Sequence, residues 1–387
     1  MTSQHIAELL LTGAFPEQTG RPDVVETHIS WVLLCDRFAY KIKKPIRYSF
    51  LDFSTLEKRK YYCEREIELN NRLTNDVYLD VQPIVEISGR LYVGDQKGEL
   101  IDYAVRMRKL DRERQMDILL VNNKVTQSDM RSLGEKIAGF HKNTAIIHKK
   151  DVLQIRDEFN DLRNERRFLG QEAGAIIDRA IDLSDSFIEK HQDYFGSRLK
   201  GGFYRDCHGD LHSKNIFLLA DPQPFDCIEF NDEFRRIDVL NEVAFLCMDL
   251  DAFGRPELAD LFLRYYNHFF PALKSRADRT LFLYYKTYRA NIRAKVNSLR
   301  ARSADNDMAR KSALAEVDKY LGMMNGYLEV LDAGISAGEG PPGSSGSFSG
   351  MISGSSSGNT GSTGGIAGCI SGSRSGRGTS AGPPGFN

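Results

Sequence analysis

The stretch His208-Gly209-Asp210-Leu211-His212-Ser213-Lys214-Asn215 holds the residues best suited to chemistry. An Asp five residues before an Asn, on a loop that runs into apolar Ile216-Phe217-Leu218, has the spacing of a phosphotransferase catalytic loop. The carboxylate of Asp210 would orient an acceptor hydroxyl and take its proton. The amide oxygen of Asn215, a neutral hard ligand, would reach a magnesium ion on a triphosphate. A second metal acid is expected on the next hairpin, where Asp226-Cys227-Ile228-Glu229-Phe230 offers two. Glu229, set between apolar neighbours, is taken as the ligand, and Asp226 lies three residues earlier. The same octapeptide also reads as H-x-x-x-H, a pair of zinc ligands in a metal-dependent hydrolase. The other histidines (His5, His28, His141, His148, His191 and His268) are scattered, so a binuclear site lacks partners. His208 is therefore expected to brace the loop, helped by Asp238, a suitable helix N-cap, and by Arg235 or Arg236.

Elements that could position this loop follow from the hydrophobic pattern. Strands fit Val24–Thr27, Ser30–Cys35 and Phe38–Lys43, the first two joined by a tight turn at His28-Ile29 and the third stopped by Pro45. Ser54-Thr55-Leu56-Glu57 offers a capping box with Ser54 as cap, opening a helix to about Leu73. Strands follow at Val77–Ile87, Arg90–Val93 and Leu100–Arg106. Beyond Lys109 the period becomes helical, with candidates at Gln115–Val121, Gln127–Asn143, Gln154–Leu169 and Glu172–His191. After a short β section, more follow at Asp238–Phe253, Pro256–Phe269, Ala277–Arg300 and Met308–Leu331. The plan is α+β and bilobal: a small antiparallel β lobe with one long helix (1–108), then a larger helical lobe (109–332).

Residues 333–387 are a different polymer. Of the 33 glycines, 17 fall here, with 14 serines and only Glu339, Arg374 and Arg377 charged. Such a segment cannot bury enough surface to offset its ordering entropy and is expected to be a disordered Gly/Ser tail. A glycine-rich nucleic-acid-binding tail is the weaker alternative. Overall charge is balanced, Lys+Arg 52 against Asp+Glu 53, which excludes a broadly basic nucleic-acid coat. No apolar run approaches a membrane span. The first 15 residues have no basic start, and the 6 cysteines form no CxxC pair, so buried reduced thiols in a cytoplasmic protein are expected.

HGDLHSKN, with the downstream IEFNDEFRRIDVLNEVAF, resembles the aminoglycoside phosphotransferase-like (choline kinase-like) small-molecule kinases, over roughly Val24 to Leu331. Within them it looks most like a bacterial branch in which this domain is often followed by a P-loop kinase domain. The resemblance implies a protein kinase-like fold, ATP and Mg²⁺, Asp210 as catalytic residue, and Asn215 as metal ligand. The family's metal Asp is then Glu229, a departure that adds one methylene. No GxxxxGK[ST] occurs in the chain, so one expectation is that the tail is an out-of-frame remnant of a lost second domain.

The small lobe fits the same idea. On Phe38–Lys43, Ala39, Lys41 and Lys43 share one strand face, so Lys41 can reach nucleotide phosphates while Ala39 leaves room for adenine, with Lys43 the runner-up. Glu66, in a segment that resembles the family's REaevL helix, would hold the lysine, with Glu64 and Glu68 as substitutes. The phosphate loop Thr27-His28-Ile29-Ser30 lacks glycine, so Ser30 is taken as the phosphate donor and His28 as a weaker candidate. Val105–Arg108, including Val105 and Met107, is placed at the adenine-binding hinge by its position before the helical lobe.

On the acceptor side, Lys286, Arg289, Arg293 and Arg300 share a helical face. They form either a solvated basic stripe or an anion-binding wall for a phosphorylated or carboxylated acceptor, with Arg289 and Arg293 as contacts. Such a stripe does not suit a polycationic aminoglycoside. The expectation is a kinase that moves the γ-phosphate of ATP to a small-molecule hydroxyl. The alternatives are a nucleotide-binding regulatory pseudokinase and the metal-dependent hydrolase.

Overall fold

The computed structural model describes residues 1–48 and 50–336. Helix α1 (Ser3–Thr12) precedes strands β1 (Asp23–Glu26), β2 (Ser30–Leu34) and β3 (Phe38–Lys43). A small hairpin of β4 (Arg47–Tyr48) and β5 (Leu51–Asp52) leads to α2 (Leu56–Asn70). Then come β6 (Tyr78–Ile87), β7 (Arg90–Val93) and β8 (Glu99–Arg108). The main sheet is antiparallel, in the order β1-β2-β3-β8-β6-β7.

Both faces of β3 are covered, and the strand period decides by what. Tyr40 and Ile42 enter a core with Trp31, Leu33, Ile6 and Leu9, so α1 roofs that face. Ala39 packs with Val105, Met107 and Cys63 of α2 on the other. The cap of α2 is Thr55, which accepts from the Lys58 amide at 3.3 Å, and not Ser54. Asp52 takes the Ser54 amide at 3.0 Å in a local turn, which moves the helix start on by one residue.

The helical lobe comprises α3 (Met116–Val121), α4 (Gln127–Asn143), α5 (Ile155–Asn160), α6 (Arg166–Leu169) and α7 (Gln171–Lys200), then α8 (Val239–Ala252), α9 (Pro256–Phe269), α10 (Arg276–Arg302) and α11 (Asp307–Ser336). The single helix expected over Gln154–Leu169 is broken by a 3-10 segment, Asp161–Glu165. Asn291 of α10 donates to the Phe159 carbonyl at 3.1 Å, the acceptor an uninterrupted helix would give to Arg163. Two short pairs frame the catalytic loop: β9 (Tyr204–Asp206) with β12 (Arg236–Asp238), and β10 (Ile216–Phe217) with β11 (Gln223–Pro224).

Cys35, Cys63, Cys207, Cys227 and Cys247 are free and buried. Among the described residues no helix is long and apolar enough to cross a membrane. Helix α11 runs four residues into the stretch expected to be a flexible tail. The rest of that stretch, with its Gly/Ser composition, lies outside the described residues.

Candidate active site

The loop between β9 and β10 is held by its own side chains and by α8. Gly209 has φ +88°, and a Cβ there would sit 3.0 Å from the Phe234 carbonyl, so glycine alone fits. Asn215 donates from Nδ2 to the Asp210 backbone carbonyl at 3.0 Å and to Oδ2 at 2.9 Å. This aims the Asp210 carboxylate and leaves the Asn215 amide oxygen without a donor among the described residues. His212 Nε2 lies 3.4 Å from the same Oδ2. Burial alone would raise the Asp210 carboxyl, but His212, His208 and Arg293 hold it below the ordinary range, so it is ionised and able to accept a proton bond.

His208 braces the loop. Its Nδ1 accepts from the Asp210 amide at 3.2 Å, which places the ring proton on Nε2, 2.9 Å from the Phe225 carbonyl. Burial lowers its pKa and keeps it neutral. Both nitrogens are committed to the loop, which favours the bracing role over a zinc ligand at this position.

A second anchor is absent from the sequence expectations. Glu242 of α8, fully buried, accepts from the amides of His208 at 3.1 Å and Gly209 at 2.6 Å, and pairs with His141 Nε2 at 2.7 Å. Burial opposes its charge, yet these donors lower its pKa to about 2. Asp238 caps α8 through the Leu240 amide at 2.9 Å. Arg235, buried, bonds Asp206 at 2.9 Å and the Ile228 carbonyl at 2.7 Å.

Across the cleft, Lys41 and Lys43 of β3 share Glu66 of α2, each donating to one carboxylate oxygen at 2.7 Å. Each lysine also meets an acid from the helical lobe: Lys41 pairs with Asp226, and Lys43 with Glu229. These pairs set the two acids apart. Glu229 is 3% exposed at its side chain and enclosed with Lys43, so it does not front the cleft. Asp226 is 42% exposed at its side chain, and the amide of the preceding Phe225 donates to the Asn215 carbonyl at 2.9 Å. Asp226 therefore stands beside Asn215 on the open side, at the left-handed φ of 64° that aims it there. Desolvation disfavours the Lys41 ammonium, but Asp226, Glu66 and Glu229 together raise its pKa well above the usual value. Glu66 is likewise opposed by burial and held below the usual carboxylate range by the two lysines.

Three other expected contacts are displaced. Ser30 is fully buried, its Oγ without a hydrogen-bond partner among the described residues, and does not open onto the cleft. The turn next to it carries His28, whose pKa falls through burial and the nearby Arg300 and Lys44. The turn thus lies within electrostatic reach of Arg300, near the end of α10. Val105 and Met107 are internal to β8, laddered to Lys41 and Ala39 on one side and to β6 on the other. Their backbones are committed, and they offer only side chains, packed with Ala39, Leu110 and Phe225 in an apolar wall on the Lys41 face. The interlobe link begins after Arg108, at Lys109-Leu110.

The basic face of α10 splits. Arg289 is buried, donates to Asn241 at 2.6 Å and to the Gly209 carbonyl at 3.2 Å, and lies over the Phe245 ring. It is a brace of the catalytic loop and not an acceptor contact. Lys286 is buried against Asp251 and Tyr327. Arg293 differs. Among the described residues it makes no ion pair, its Nε is buried without a partner, and it lies over Tyr320 within electrostatic reach of Asp249 and Asp210.

No protein-family model matches the chain. Over 287 residues it is 33% identical to uncharacterized proteins of Mycobacterium tuberculosis and Mycobacterium bovis. The match takes in 72% of this chain and 55% of each of them, so the chain spans about half the length of the curated relatives it matches. Among solved structures, a choline kinase from Cryptosporidium parvum is similar at TM-score 0.53 and 12% identity, over 81% of this chain and 90% of that one. The chain has the choline kinase fold. In this choline kinase fold, Lys41 and Glu66 face the Asp210 loop across the cleft, and Asp226 lies between them.

Proposed function

We propose that the chain is an aminoglycoside phosphotransferase-like (choline kinase-like) enzyme that transfers the γ-phosphate of ATP to a hydroxyl of a small molecule in the cytoplasm. The observation that carries this reading is the convergence of Asp210, Asn215, Asp226 and the Lys41–Glu66 pair on one cleft. The nucleotide belongs to the β lobe (1–108), its base against the wall of Ala39, Met107 and Leu110 and its phosphates at Lys41. The acceptor belongs to the helical lobe (109–332). One carboxylate and one amide oxygen, Asp226 and Asn215, form a donor set that suits a hard cation such as Mg²⁺, which when bound neutralises charge on the transferring group.

Asp210 holds the acceptor hydroxyl and receives its proton, and Asn215 keeps the carboxylate on line. Lys41 exchanges Asp226 for phosphate oxygens. Arg293, which makes no ion pair among the described residues and lies within electrostatic reach of Asp210, supports an acceptor that carries a carboxylate or phosphate, which the guanidinium can hold by a forked contact. The pseudokinase alternative rests on Glu229 in place of an Asp and on the glycine-free phosphate loop, and a metal-binding Asp226 answers the first of these. Labelled ATP offered with a panel of hydroxyl acceptors, anionic and cationic, tests the reading. Transfer is expected to an anionic member and to vanish in Asp210→Asn while ATP·Mg²⁺ still raises the melting temperature. Full transfer by Asp210→Asn would sink the assignment.

A further inference from the structure

The cleft holds more charge than the reaction uses. Two ammonium groups, Lys41 and Lys43, meet three carboxylates, Glu66, Asp226 and Glu229. Without Asp226 the remaining four groups balance by themselves. Asp226 is also the one exposed member, so it can turn to a cation without leaving net charge in the interior. Lys43 and Glu229 are sealed, at 0% and 3% side-chain exposure, with the Phe53 ring 4.9 Å from the ammonium and buried Cys63 nearby. No phosphate oxygen can reach that lysine.

We infer that Lys43 and Glu229 are a positioning pair: a second ionic tie between the lobes that keeps Glu66, and through it Lys41, in place when nucleotide draws Lys41 away from Asp226. The inference rests on the kinase reading above. Glu66 is fully buried and has two oxygens, one for each lysine. When Lys41 turns part of its charge to phosphate, a buried carboxylate with no other cation would protonate or swing out. Lys43 prevents both, because Glu229 fixes it from the opposite lobe, 186 residues along the chain. The tie joins β3 directly to the segment that carries Asp226.

The test uses the full chain and two double substitutions, Lys43→Met with Glu229→Met and Lys43→Gln with Glu229→Gln. Replacing both members of a buried pair commonly keeps the fold, where removing one does not. Thermal unfolding, ATP·Mg²⁺ titration and adenosine titration are measured on each. The expected result is a melting temperature within a few degrees of wild type, unchanged adenosine affinity, and at least about tenfold weaker ATP·Mg²⁺ binding, because only the phosphates depend on Lys41. ATP·Mg²⁺ affinity equal to wild type would overturn the inference. So would an equal loss for adenosine and ATP, or failure of both double variants to fold, since either makes the pair part of the scaffold alone. Wild-type protein that binds no ATP·Mg²⁺ would overturn the kinase reading first, and the inference with it.

Discussion

Glu242→Gln isolates the anchor of the catalytic loop. The carboxylate accepts two loop amides and one imidazole, and Gln keeps a single acceptor oxygen while setting an NH₂ against N–H donors. The pKa falls from 4.5 to about 2 on folding. A drop of that size corresponds to about 3 kcal/mol of stability. Because the folded value is depressed, this contribution is complete well above the unfolded pKa and is lost as pH falls toward the folded one. Between about pH 7 and about pH 3.5 the wild type should lose about 1 kcal/mol that the Gln variant, with nothing to titrate there, does not lose. Urea unfolding of both proteins at the two pH values measures it. The stability gap should be about 3 kcal/mol at neutral pH and narrower by about 1 kcal/mol in acid. A gap below about 1 kcal/mol at neutral pH, or one that does not change with pH, refutes the anchor role.

Other outcomes follow from the same geometry. Asp226→Asn should abolish the Mg²⁺-dependent part of ATP binding while adenosine binding persists, and titrations with and without the ion decide it. Arg293→Leu should raise the acceptor KM about tenfold or more with kcat changed less. Arg289→Leu should instead lower stability by about 3 kcal/mol, since it strips a buried brace from Asn241 and Gly209, and steady-state kinetics beside a melt separate the two. Gly209→Ala should cost about 2–4 kcal/mol from its left-handed backbone and the close Phe234 carbonyl, read by denaturant midpoint.

The parts of the site that were legible in the sequence are those built from near neighbours. Asp210 and Asn215 lie on one loop, and their bond follows from a fixed spacing. Lys41 follows from strand alternation, which also put Lys43 on the same face. What alternation cannot say is how deep each lysine sits, and depth separates the partly open Lys41 from the sealed Lys43. Asp226 and Glu229 differ in exposure and in the positive φ at Asp226, which the apolar flanks of Glu229 obscured. Glu242 and His141 are 101 residues apart, and nothing local marks either as an anchor. Arg289 and Arg293 share a helix face, but one packs under the loop and the other makes no ion pair among the described residues. Val105 and Met107 stood in the right strand, and the extension of β8 to Arg108 drew their backbones into the sheet.

The burial of the cysteines has a practical side. Desolvation pushes the Cys35 thiol up to about 11 and those of Cys63 and Cys227 up to about 12, and raises Cys207 and Cys247 as well. At neutral pH almost no thiolate is present at these positions, so maleimides should pass them by. Once Cys369 is replaced, the described part of the chain is chemically blank. Single cysteines placed at the β4–β5 turn and on the exposed face of α9 could then carry a fluorophore pair. The distance between the lobes could be followed through a catalytic cycle without altering any residue of the cleft.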